Sequence, residues 1–205
     1  MQDYGLVSIG SHTGIWLKEE LKNYSIHKNI LIEPVPYNIA ELKENIKEYK
    51  NIIIEESAVS DKDETVPFYH LKKNSINKLK KHWATGIGSF DKSHLLNHRN
   101  KRFLITEDDI EKINIDCISF ENLINKYSIE SIEKLMLDVE GAEFKILDSL
   151  NFKKTKIKQI LFEKKHFDGY MKQGEKFMKI KKKLESHNYI LQDIDEENIL
   201  AKLEK

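Results

Sequence analysis

A chain of 205 residues, 40% hydrophobic and 33% charged, is long enough for one domain with a full core and too apolar to stay disordered. Its 34 basic and 34 acidic residues cancel, so the basic excess that drives phosphate binding is missing and a nucleic-acid partner is not expected. Cys117 is the only cysteine, which excludes an internal disulfide and points to a reducing, cytoplasmic setting; no apolar run resembles a signal peptide or reaches the roughly 20 residues of a membrane span.

In chain order, short apolar runs alternate with amphipathic stretches. Residues 5–9 read as a buried strand, 14–24 as a helix and 29–32 as a second strand. A second helix over 37–49 carries Ile39, Leu42, Ile46 and Tyr49 on one face, and the β-branched run 52–59 reads as a third strand. This rhythm implies parallel strands joined by right-handed crossovers, an α/β fold. The stretch 72–101 is polar and without sustained period, the pattern of an irregular insert that recognises a ligand; Trp83, Phe90 and the run Gly86-Ile87-Gly88-Ser89 are its candidates, and the lysines of 72–81 suit an anionic acceptor. Order returns with a strand over 113–118, a helix over 120–127, a strand over 135–138, a helix over 142–150 and a strand over 157–162. A helix carrying Phe177, Ile180 and Leu184 follows, and then a terminal hairpin of 189–193 and 198–203. With no repeats and no Pro- or Gly-rich linker, 1–205 reads as a single domain.

The first strand runs through VSIGSHTG (7–14) directly into a helix. Gly10 and Gly14 permit a tight turn and close backbone approach to a ligand. The second strand ends in Glu33-Pro34, where an acid faces the crevice beyond the strand ends and can accept hydrogen bonds from a ribose diol. A dinucleotide loop would read G-x-G-x-x-G, with a middle glycine beside the pyrophosphate; here His12 fills that place, which favours a nucleoside cofactor without pyrophosphate.

Several blocks, in order, resemble the FkbM family of methyltransferases. VSIGSHTG is similar to its first motif, ILIEPVPYNIAELKENI (30–46) to its E-P-x-P-x-N block, and ESAVSDKDETVPFY (56–69) to its A-V-S-D segment with a following short strand. IDCISFENLI (115–124) is similar to its helix entry, KLMLDVEGAEFKIL (134–147) to its K-x-D-V-E-G-A-E signature, and ILFEKKH (160–166) to its strand-E-x-x-H ending. The resemblance implies a Rossmann-like class I three-layer sandwich, with a seven-stranded sheet, six strands parallel and one antiparallel. It implies methyl transfer from S-adenosylmethionine to a hydroxyl of a sugar, lipid or secondary metabolite. On that basis Ser8, Gly10, His12 and Gly14 lie along the methionine part of the cofactor, Glu33 and Pro34 at the ribose, and Ser57, Ala58 and Val59 near the adenine. Two departures stand out: Ser8 replaces the family's first-motif acid, and His12 stands where Asn is common. The chain also begins almost on its first strand, so a short or missing N-terminal cover is expected.

Transfer to an alcohol needs the acceptor held in line and its proton removed. Asp138 and Glu140 after the 135–138 strand, and Glu163 with His166 after the next, are the candidate catalytic residues, Asp138 first. Glu140 or Glu143 alternatively caps the following helix. Asp138, Glu140 and Glu163 offer hard oxygen ligands to a divalent ion, an option ranked below metal-free catalysis; His82, His94 and His98 have no zinc-like spacing without cysteines. Rival readings are a cofactor-binding or interaction module without activity, a nucleic-acid methyltransferase and a dinucleotide oxidoreductase. DVEG in place of an N/D-P-P-Y motif, and Cys117 placed as a strand residue, count against the nucleic-acid enzyme.

Overall fold

In a computed structural model that describes residues 2–79, 82–97, 104–169 and 172–204, β1 (Gln2–Ile9) is buried from Tyr4 to Ile9. Burial on both faces is the condition of a central strand in a parallel sheet. It pairs in parallel with β2 (Lys28–Ile32) on one side and β7 (Ile129–Leu137) on the other. The seven-stranded sheet runs β3-β2-β1-β7-β8-β10-β9, completed by β3 (Ile52–Glu55), β8 (Lys156–Glu163), β9 (Tyr189–Asp193) and β10 (Asn198–Leu203). β10 is antiparallel to both neighbours, so the terminal hairpin supplies the one reversed strand. From β1 the chain first steps outward to β2 and β3, then returns to β7 on the other side. The carboxyl ends of β1 and β7 therefore flank the switch point, where open α/β sheets place their ligands.

Neighbouring side chains on β1 point to opposite faces and build the layers. Leu6 faces the layer of α1 (Lys18–Asn23) and α2 (Pro36–Asn45), packing with Leu17, Leu21, Leu31, Leu42 and Ile46. Val7 and Ile9 face α5 (Phe120–Tyr127), α6 (Glu143–Ser149) and α7 (Glu175–Glu185), which bury Leu123, Ile146, Leu147, Phe177, Ile180 and Leu184. The result is the three-layer, mostly parallel class I fold. Pro36 opens α2 at a position where its missing N–H is no loss.

Two stretches depart from the sequence pattern. The run 52–59 is two strands: β3 ends at Glu55, whose carboxylate accepts hydrogen bonds from Lys126 (2.6 Å) and Tyr127 (2.5 Å) on α5. The chain then turns out of the sheet, and β4 (Ala58–Ser60) pairs with β6 (Ile110–Ser119), which also pairs with β5 (Glu64–Leu71). Ala58 leaves the main sheet because its burial partners, Val35, Phe68, Ile115 and Cys117, lie in this second layer. The 113–118 strand belongs to it as well. The stretch 72–101, expected to be irregular, forms α3 (Lys73–Leu79), a 3₁₀ turn at His82–Thr85 and α4 (Lys92–Asn97). It has its own core of Leu71, Ala84, Ile87, Leu95, Ile105 and Ile110. Its helices span seven and six residues, too few turns for a helical period to show. Lys80, Lys81, His98 and the side chains of His82 and Trp83 lie outside the described residues. No helix among the described residues is long and apolar enough to cross a membrane.

Candidate active site

The glycine loop is bolted to the end of β2. Gly10 N and Ser11 N donate to the Ile32 carbonyl at 3.0 and 2.8 Å, and the Ser11 hydroxyl bridges Ser8 O and Ile32 N, both at 3.0 Å. Gly10 has φ +83°, and a Cβ there would stand 1.8 Å from the Asp138 carbonyl oxygen. Only glycine lets the loop pass so close to the end of β7. Gly14 (φ +72°) serves packing instead: a Cβ would meet Leu42 Cδ1 at 2.4 Å, and the residue does not line the crevice.

Glu33 lies beneath this loop, 5% exposed. Its Oε2 accepts from His12 N (2.9 Å), and its Oε1 from Val35 N (3.0 Å) and Asn38 Nδ2 (3.2 Å). The second lone pair of Oε2 therefore remains for a ligand hydroxyl. Burial raises the carboxyl to about 7 against these hydrogen bonds. Asn38 also donates to Thr85 O (2.9 Å), while its buried Oδ1 accepts from no protein group. The His12 ring reaches the Thr85 hydroxyl, so the insert is tied across the crevice.

The crevice has a volume of about 580 Å³, within the usual range for small-molecule sites. Ser8, Gly10, His12, Glu33, Pro34, Ser57, Ala58, Val59, Asp138 and Glu140 all line it, as does the Thr85–Gly88 run with Phe90. Gly88 is needed there because a Cβ would lie 2.6 Å from the Phe68 ring, which meets Phe90 edge-on with centroids 5.4 Å apart. Glu163 and His166 do not line the cavity and stand behind Glu140.

The DVEGAE turn is held by its last acid. Glu143, 1% exposed, accepts from Val139 N (2.8 Å) and Gly141 N (2.9 Å). This clamp supports Glu140 in a left-handed conformation, φ +52°, beside Gly141 at +112°. Glu140 Oε2 lies 3.0 Å from His94 Nε2 and 3.2 Å from His166 Nε2. Burial opposes its ionisation, but the two histidines and the Lys165 charge hold Glu140 well below the usual carboxylate range. Asp138 is accessible to solvent within the crevice though walled by protein; burial and the Glu140 charge raise it to about 6. Lys165 pairs with Glu163 and, at 3.4 Å, with Glu197 of the terminal hairpin. Burial and the nearby acids raise the Glu163 carboxyl to about 8 against that lysine.

The crevice fits a nucleoside cofactor: a glycine turn whose backbone lines it, a buried acid with acceptor capacity left, and an orphaned buried acceptor at Asn38. A family model described as the methyltransferase FkbM domain matches residues 8–191. The chain belongs to the FkbM methyltransferase family. It is an S-adenosylmethionine-dependent methyltransferase. No curated protein matches it. Among solved structures it is similar to the fibrillarin pre-rRNA processing protein of Methanococcus jannaschii, at 14% identity and a TM-score of 0.50, over 99% of this chain and 67% of that one. It is also similar to precorrin-6y C5,15-methyltransferase from Geobacter metallireducens GS-15, at 10% identity and a TM-score of 0.46, over 100% of this chain and 82% of that one. At 14% identity the fibrillarin likeness is one of fold alone.

Within this FkbM domain, the sequence motifs locate Gly10, Glu33, Asp138 and Glu140 but miss Asn38, Thr85, Lys165 and Glu197, which line the same cavity. Asn38 had a signal, the N of the E-P-x-P-x-N block. Lys165 falls at an unspecified place of the E-x-x-H block, between Glu163 and His166, while Thr85 and Glu197 lie in segments that carry no motif.

The buried acids also set a pH dependence. Glu33 and Glu143 rise from 4.5 to about 7, both through burial, so between those values the native state holds more protons than the unfolded chain and stability falls as pH rises. Asp138 and Glu163 act in the same direction; His12, lowered by burial, opposes them as a single group. The cofactor-free FkbM protein is expected to melt at a lower temperature at pH 8 than at pH 5.5. A melting temperature that climbs across this window contradicts the assignment.

Proposed function

We propose that this FkbM enzyme, acting as a single domain, methylates a hydroxyl of a sugar, lipid or secondary metabolite. The observation that carries the reading is the solvent-accessible Asp138 carboxylate on the inner wall of the crevice, beside the glycine loop. Bound S-adenosylmethionine supplies an electrophilic methyl on a sulfonium. The protein's share is to orient the acceptor oxygen and receive its proton.

In this reading Gly10 brings its backbone against the cofactor, with Ser8 and His12 beside it, and Glu33 Oε2 accepts a ribose hydroxyl. Pro34, Asn38 and the Ser57-Ala58-Val59 turn face the nucleoside end. Asp138 takes the hydroxyl proton. Glu140 is already engaged by two histidines, so it orients groups rather than acting as the free base; Glu163 and His166 support it from behind. Thr85 to Gly88 and Phe90 form the acceptor-facing wall. Asp138, Glu140 and Glu197 outnumber Lys165 along the crevice, which suits a neutral polyhydroxyl acceptor better than a polyanion.

The test is transfer from methyl-labelled S-adenosylmethionine to a panel of free sugars, glycolipids and polyols, with simple amines as controls, and the linkage read by carbon NMR. Methyl groups on oxygen are expected. Methylation confined to the amines would contradict the proposal.

A further inference from the structure

We infer that His94, Glu140 and His166 form a binding site for a borderline divalent metal ion, Zn²⁺ in preference to Mg²⁺, on the acceptor side of the crevice. Three separate segments bring these residues together: His94 on α4 of the insert, Glu140 in the turn after β7, and His166 after β8. One donor atom from each lies within 4.8 Å of the other two. The Nε2 atoms of His94 and His166 stand 3.0 and 3.2 Å from Glu140 Oε2. Donors held about 2.1 Å from one tetrahedral ion are themselves roughly 3.4 Å apart, so small side-chain adjustments bring all three onto a single ion. Two imidazoles and one carboxylate suit zinc and neighbouring first-row ions; Mg²⁺ favours an all-oxygen set.

The surroundings hold these donors in place. The histidine rings meet edge to face, 4.8 Å apart at 77°. Fully buried Leu95 anchors α4 beside His94, and the Glu143 clamp fixes the left-handed Glu140. The three side chains are 13%, 14% and 11% exposed, low enough to spare an ion full hydration and high enough to admit it. Glu140 lines the crevice, so an ion there borders the acceptor and can polarise its hydroxyl. That use deepens the proposed O-methylation and rests on it; metal binding itself does not.

The test is calorimetric titration of the metal-stripped full chain with Zn²⁺ and with Mg²⁺, together with Co²⁺ binding followed by visible absorption. One Zn²⁺ per chain is expected, with cobalt bands of imidazole coordination and binding weakened roughly 10–100-fold in His94→Ala and in His166→Ala. His187→Ala, at an unrelated site, should bind like the wild type, and circular dichroism with S-adenosylhomocysteine binding establishes that the variants are folded. No zinc binding to the folded wild type, or unchanged affinity in both ligand variants, overturns the inference. Hydroxyl methylation by a folded wild type that binds no metal removes the inference and leaves the function standing. Zinc binding without hydroxyl methylation does the reverse.

Discussion

Asp138→Asn lowers the rate of methyl transfer by about 10²–10⁴-fold, the usual contribution of a positioned base, while leaving S-adenosylhomocysteine affinity nearly unchanged. The substitution keeps side-chain size and removes only the proton-accepting charge. Asp138 follows directly from β7, its backbone N–H donating to Ile9 O at 3.0 Å, so the position is fixed by the sheet and the effect reads the chemistry of the side chain. The measurement is kcat in single-turnover kinetics alongside calorimetry. If cofactor affinity falls in parallel with the rate, Asp138 serves the cofactor's ammonium, replacing the acid that Ser8 lacks. A rate within tenfold of wild type contradicts its role as base.

Gly10→Ala destabilises the protein by about 2–4 kcal/mol and abolishes cofactor binding. Two effects combine there: a left-handed φ of +83° and a Cβ only 1.8 Å from the Asp138 carbonyl oxygen. The clash cannot be relieved by rotating a side chain, because both partners are backbone. One of them must move, and the glycine loop and the end of β7 together shape the crevice. Gly169→Ala provides the comparison. Its φ is +103°, but the nearest atom to an added Cβ is Lys172 Cδ at 3.6 Å, so only conformational strain remains. Urea unfolding should show the smaller loss for Gly169→Ala, with cofactor binding retained. Equal losses at the two positions would mean that the close approach has no energetic weight.

The parts of this protein legible in its sequence are those in which neighbouring residues carry the whole requirement. Gly10 must be glycine because of its own φ and one backbone contact, and Glu33 must be acidic at the end of a recognisable strand. Apolar runs at β1 and β2, buried without a break from Tyr4 to Ile9 and from Asn29 to Ile32, reveal the parallel sheet. In the DVEGAE turn the sequence offers Glu140 or Glu143 as the cap of the following helix, and only the structure separates them: Glu143 is spent on backbone N–H groups, and Glu140 faces the crevice. What sequence reading misses depends on long-range pairing. The break after Glu55 follows from Lys126 and Tyr127 on a distant helix. His94 sits on a helix of six residues with no readable period, and its partner Glu140 lies beyond β6, α5 and β7 in the chain. Its place beside His166 is a product of the insert's own core, whose apolar residues are scattered over short elements. Metal chemistry therefore ranks low when spacing alone is considered and rises once three segments are seen to meet.

The cofactor site is tested most directly by calorimetric titration of the wild-type chain and of Glu33→Gln with S-adenosylhomocysteine. Glu33→Gln retains the volume of the buried side chain while losing its charge. One site per chain is expected in the wild type, with an affinity roughly 10–100-fold weaker in the variant, the range expected for hydrogen bonds to a charged group. Absence of binding to the folded wild type, or equal affinity in the two proteins, would contradict the crevice at the β1–β7 switch point as the cofactor site.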